Sequence, residues 1–163
     1  MAFSFDTNVF IEIERYYPRN ENQKFWQILE NKLAEKEILI SEEVIEELQI
    51  KNPKSIGKWL KDNYPECIID TFEIQEQVRN LVNKYKGWID PNSTLNKADP
   101  YVIAIALHYK IPVVTEEKMN QYLLTHINMI REQAHALKIP NICLLENIKY
   151  YNIVKYLVDI GSF

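Results

Sequence analysis

Carboxylates recur in this chain where short apolar runs end or where the next helix should begin. Asp6 follows Phe3-Ser4-Phe5, while Glu43, Glu46 and Glu47 follow Ile38-Leu39-Ile40. Asp99 stands at the head of an alanine-rich segment, and Glu116 and Glu117 follow Val113-Val114. In a parallel α/β sheet the carboxyl ends of the strands point to one edge, and sites form there. Acids delivered to one edge from separate strands repel one another unless a cation sits among them. A hard divalent ion with a preference for oxygen, Mg²⁺ or Mn²⁺, suits such a set. It can activate a water and offset the charge that builds on a phosphodiester. The pattern predicts metal-assisted phosphodiester hydrolysis. Every acid also has a structural reading. Asp6 and Asp99 are good helix caps, Glu42 to Glu47 suit a solvated helix start, and Glu116 and Glu117 suit a charged loop.

The elements that must position these acids can be read from the apolar pattern. Phe3–Phe5 reads as a buried first strand, and the capping residues Asp6-Thr7-Asn8 open a helix that Pro18 stops. A second helix is predicted from about Glu21 to Lys36, with Phe25, Ile28, Leu29 and Leu33 along one face. Ile38–Ile40 is a second strand, and Ser41 caps a third helix whose apolar side is Val44, Ile45 and Leu48. Pro53 opens a further helix with Ile56, Trp59 and Leu60 inward. Cys67-Ile68-Ile69 is a short strand or link. A long helix from about Thr71 to Lys86 is expected to bury Ile74, Val78, Leu81 and Val82, and Gly87–Ser93 is a loop. Pro100 fits the first turn of a helix that runs to Tyr109.

Ile111–Val114 and Ile142–Leu145 read as two more strands, and Ile148–Ile160 as a closing helix. Residues 118–138 are expected to be helical or an insertion. Short apolar strands separated by helices predict an α/β fold with a central, mostly parallel sheet of four or five strands.

The 163 residues suit a single domain spanning 1–163, with 47% hydrophobic and 26% charged residues. The start of the chain has no basic segment or long apolar run, which predicts no signal peptide. Nothing is apolar for long enough to span a membrane, so a cytoplasmic protein is expected. Cys67 and Cys143 are far apart and read as reduced, half-buried residues. The net charge of −4 disfavours a module that holds nucleic acid by phosphate neutralisation alone. It disfavours a carboxylate-built nuclease less.

Four segments, in order, resemble the PIN-domain nucleases. They are F-S-F-D-T-N-V-F at Phe3–Phe10, I-L-I-S-E-E-V-I-E-E-L at Ile38–Leu48, K-A-D-P-Y-V-I-A-I-A-L at Lys97–Leu107 and I-P-V-V-T-E-E-K at Ile111–Lys118. The stretch Ile139–Cys143 resembles the last strand of one PIN-like subfamily of small prokaryotic proteins. The resemblance implies a three-layer PIN-like sandwich and an endoribonuclease that hydrolyses RNA with Mg²⁺ or Mn²⁺. It carries the acidic quartet onto Asp6, Glu47, Asp99 and Glu117, as catalytic and metal-holding residues, with Thr7, Asn8, Ser41 and Thr115 as polar support. Glu43 or Glu46 could replace Glu47, and Glu116 could replace Glu117. The resemblance further implies a toxin of a toxin–antitoxin pair, with an antitoxin protein as partner, and dimerisation.

Other surfaces have weaker claims. Lys51, Lys54, Lys58 and Lys61 would form a basic stripe beside Trp59 on a helix, able to guide RNA or simply to face solvent. Arg15, Tyr16, Tyr17 and Arg19 could stack bases or pack. His108, His126 and His135 lack zinc-site spacing. Two rival functions remain: a catalytically silent PIN-like module that binds RNA or protein, and a phosphatase with Asp6 as nucleophile. The second wants another acid two residues on, where Asn8 stands.

Overall fold

The computed structural model describes residues 1–51, 56–94 and 96–159. The elements are β1 (Phe3–Phe5), α1 (Thr7–Tyr16), α2 (Gln23–Ala34), β2 (Ile38–Ser41), α3 (Glu42–Lys51), α4 (Ile56–Asn63) and β3 (Ile68–Ile69). They continue with α5 (Thr71–Lys84), α6 (Asp99–Tyr109), β4 (Val113–Val114), α7 (Gln121–Thr125), α8 (Ile139–Leu145), β5 (Tyr150–Tyr151) and α9 (Ile153–Asp159). The five strands form one sheet in the order β3-β2-β1-β4-β5, and every neighbouring pair is parallel.

Parallel strands are buried on both faces, which is why β1, β2 and β4 are mostly apolar. Successive side chains alternate between the faces. On one face the Ser4 hydroxyl donates to the Val102 carbonyl of α6 at 2.8 Å. On the other, the rings of Phe3 and Phe5 meet Tyr156 of α9 edge-on, and Phe5 also meets Phe10 of α1. The result is a three-layer α/β sandwich. Residues such as Phe5, Phe10 and Ile103 are fully buried, each contributing roughly 1.5–3 kcal/mol of transfer free energy. Helix α6 has Val102, Ile103, Ala104, Ile105 and Ala106 all buried, so its alanines reflect close packing on more than one side. Lys110 ends it in the left-handed conformation, with its N–H on the Ala106 carbonyl.

The C-terminal third departs from expectation. Ile142–Leu145 is not a strand but part of α8, with Ile139, Ile142 and Cys143 inward and Leu144 largely exposed. Pro140 sits in its first turn, and the Asn141 carboxamide oxygen accepts the Lys138 N–H at 3.2 Å. A four-residue apolar run has too few residues to separate a buried helix from a strand by periodicity. The last strand lies instead at Tyr150–Tyr151, inside the expected closing helix, which begins only at Ile153. Asn147, at φ 57°, makes the turn that frees this strand. Helix α5 stops at Lys84, and Val82 is exposed rather than buried. Residues 118–138 are helical only in α7 and two short 3₁₀ turns. Pro53, Lys54 and Ile160 lie outside the described residues. No helix among the described residues is long and apolar enough to cross a membrane.

Candidate metal centre

Strand order reverses direction at β1. The chain moves from β1 outward through β2 to β3, then returns to place β4 on the other side. The crevice beyond the ends of β1 and β4 is therefore the topological switch point, where ligands of such sheets bind. Phe5 and Val114 are in register across it. The next residues, Asp6 and Thr115, are joined by a bond from the Thr115 hydroxyl to Asp6 Oδ2 at 2.8 Å. The Asp6 N–H continues the ladder to the Val114 carbonyl at 3.0 Å. Asp6 stands just before α1 but makes no side-chain cap there. Its carboxylate turns to Thr115 instead.

Asp6 is 2% exposed and Asp99, in the first turn of α6, is 5% exposed. Burial first, and then the charges of Glu117 and Glu47, raise the Asp6 carboxyl to about 7, against the opposing pull of the Thr115 hydroxyl and the Thr7 N–H. Burial also lifts Asp99 well above the carboxylate range, followed by the charges of Asp6, Glu117 and Glu47. The Lys138 ammonium opposes that rise. Four acids from four parts of the chain thus share one electrostatic neighbourhood.

Glu47 is the acid of α3 that belongs to it. Its Oε2 accepts the Thr7 hydroxyl at 2.8 Å, and its Oε1 accepts the Ala98 N–H at 3.1 Å. Glu47 therefore links the start of α1 to the start of α6. Glu43 turns to the Thr71 hydroxyl at 2.7 Å, and burial raises its carboxyl. Glu46 is exposed. Ser41 caps α3, its hydroxyl accepting the Val44 N–H at 3.2 Å. Asn8 is half-buried in the first turn of α1.

On the β4 side, Glu117 Oε2 accepts the Ile139 N–H of α8 at 2.8 Å, and Oε1 lies 3.7 Å from Lys138 Nζ. Its own N–H donates to the Thr115 hydroxyl at 3.1 Å, so Thr115 ties Glu117 to Asp6. Glu116 faces elsewhere and accepts the Ile153 N–H of α9 at 2.5 Å. Sequence reasoning missed Lys138, the Ala98 N–H and the Asn141 clamp, in which Asn141 exchanges bonds with the Asn120 backbone at 2.9 and 3.0 Å. The signal that could have found them was the Lys138-Ile139-Pro140 helix start.

The donor set fits a hard divalent cation: buried carboxylate oxygens with raised proton affinity, flanked by hydroxyls. Among the described residues no three His, Cys, Asp or Glu side chains already stand together as a ligand group. Beside Glu47 and Pro100 opens a cleft of about 520 Å³ with Glu43 and Glu46 on one wall and Val78, Val82 and Tyr101 on others.

The other expected surfaces pack differently. Lys58 pairs with Asp62 at 2.5 Å, so the stripe is partly neutralised. Arg19 lies over the rings of Trp26 and Trp59 and pairs with Glu30 at 3.1 Å, and Tyr17 stacks on Phe25. These groups staple the start of α2 to α4. Both cysteines are unpaired and fully buried, deeper than expected, and the Cys67 thiol donates to the Leu33 carbonyl at 3.0 Å.

A family described as a domain of unknown function (DUF4411) matches residues 3–161. No curated protein and no solved structure matches the chain.

Proposed function

The chain belongs to the DUF4411 family, and we propose that it is a Mg²⁺- or Mn²⁺-dependent ribonuclease of PIN type. One observation carries the reading: Asp6, at the end of β1, and Asp99, at the start of α6, are both buried, and Asp99 is buried against the charges of Asp6, Glu117 and Glu47. Burying a carboxylate against the charge of other acids costs free energy that a structural role would not require. Asp6 and Asp99, with Glu47 and Glu117, would hold the cation. When bound, such an ion supplies a Lewis acid for water and offsets charge on the phosphodiester.

The chain's own groups prepare that site. Thr115 orients Asp6, while Thr7 and the Ala98 N–H orient Glu47. The Ile139 N–H holds one oxygen of Glu117. In this reading the protein acts in the cytoplasm as the toxin of a toxin–antitoxin pair, with an antitoxin as partner and a dimer as its working form.

The test is cleavage of a labelled single-stranded RNA with Mg²⁺, Mn²⁺ or EDTA, using the parent and Asp6→Asn. Divalent-dependent cleavage lost in Asp6→Asn supports the assignment. Full activity in Asp6→Asn removes it. A second reading, a catalytically silent binding module, draws on the bonds that already engage Glu47 and Glu117. It predicts RNA or protein binding with no divalent-dependent turnover.

A further inference from the structure

A second cleft, of about 460 Å³, lies where α5 ends, lined by Asn83, Lys84, Tyr85, Lys86, Ile130 and Arg131 with Ala134 behind. Its charged lining is wholly cationic, in a chain whose net charge is −4. The three cations are not equivalent. Lys84 Nζ pairs with Glu146 at 2.6 Å, suits the negative end of the α5 dipole, and so has a structural reason to be there. Lys86 and Arg131 are exposed, and among the described residues neither has an ion-pair partner.

The walls give the cleft its direction. Lys86 precedes Gly87, whose φ of 87° suits glycine and starts the connection that ends at Asp99. Ile130, Arg131 and Ala134 belong to the connection that starts after Glu117 and ends at Lys138 and Ile139. Both walls are thus made by segments that run into the acidic centre. The acids would repel an RNA backbone, and the uncompensated charges on the same two connections would attract it.

We propose that this cleft holds backbone phosphates of single-stranded RNA, with Lys86 and Arg131 as the contacting charges. The proposal rests on the ribonuclease reading for the identity of its ligand, and names a binding surface apart from the carboxylates.

The experiment measures binding of a fluorescent oligouridylate to the full chain in EDTA, by anisotropy across a series of salt concentrations. Single Lys86→Glu and Arg131→Glu variants, their double, and a Lys24→Glu control at an exposed position of α2 are compared, each checked for folding by thermal melting. The double variant is expected to bind roughly tenfold or more weakly, with the log–log salt slope lower by about 1.4, close to 0.7 per lost phosphate contact. Lys24→Glu, with the same charge change per residue, should stay within about twofold. Equal losses in Lys24→Glu and the single cleft variants mean a bulk charge effect and overturn the proposal, as does a double variant that binds like the parent. Binding in EDTA is read apart from cleavage, so a parent that binds RNA through the cleft here but fails the separate cleavage assay would sink the nuclease reading and leave this one standing.

Discussion

The two sides of the β1–β4 crevice hold their acids in different ways. On the β4 side, Glu116 and Glu117 each accept the first N–H of a helix, Ile153 of α9 and Ile139 of α8. Their negative charge sits where a helix dipole favours it, and each completes a helix start. On the β1–α6 side, Asp6 and Asp99 are buried, and burial heads the causes that lift their proton affinity. Asp6 makes no side-chain cap bond to α1, and the Thr7 N–H only partly offsets its burial. The contrast separates acids that stabilise the fold from acids the fold tolerates. Glu117 belongs to both groups, because its charge also reaches Asp6 and Asp99.

The largest effect should come from the buried pair. Asp6→Asn and Asp99→Asn are each expected to lower divalent-dependent RNA cleavage roughly 100-fold or more. Single-turnover assays on purified, folded protein measure this. If Glu116→Ala lowers cleavage as much, the division between the two sides fails.

Next comes pH. The folded Asp6 carboxyl titrates near pH 7, above its ordinary value of 3.8, so between these the native state binds more protons than the unfolded chain. Stability without divalent ions should therefore fall as pH rises through that window. Melting at pH 5.5 is expected roughly 5 °C above that at pH 8. Saturating Mn²⁺ should raise the pH 8 value most, and Asp6→Asn should reduce the slope, with Asp99 keeping part of it. A melting temperature that rises toward pH 8 in EDTA would contradict the burial argument.

Glu117 tests the overlap. Glu117→Gln keeps an oxygen for the Ile139 N–H and should retain stability while cleavage drops less than in Asp6→Asn. Glu117→Ala should lower unfolding free energy by about 1 kcal/mol in urea titrations, the usual cost of a lost helix cap. Smallest is Glu116→Ala, expected to lose about 1 kcal/mol or less, with cleavage within about threefold of the parent.

Much of the first two-thirds of the molecule was legible in sequence. Phe3–Phe5, Ile38–Ile40 and the helix after Asp99 appear where their apolar runs and capping residues place them. These elements are long, or have a start signal such as Ser41 or Pro100 beside them. Ile142–Leu145 was misread because four apolar residues satisfy either geometry, and Tyr150–Tyr151 because a two-residue edge strand has almost no pattern of its own. The acids at strand ends could be named from sequence as candidates. The resemblance put Glu47 ahead of Glu43 and Glu46, but residue type and spacing could not separate them, since the contacts that single out Glu47 are with Thr7 and Ala98, both distant in the chain.

Residue type and local spacing alone determined that this chain forms short buried strands with acids placed after them. Those are effects between neighbours, and neighbours are what a sequence shows. Only the tertiary structure decided the company each acid keeps. The sheet order that seats β4 beside β1 sets Thr115 on Asp6, and the return of α8 gives Glu117 an amide to cap. Whether a carboxylate is held by a helix or left against another charge depends on contacts between residues far apart in the chain.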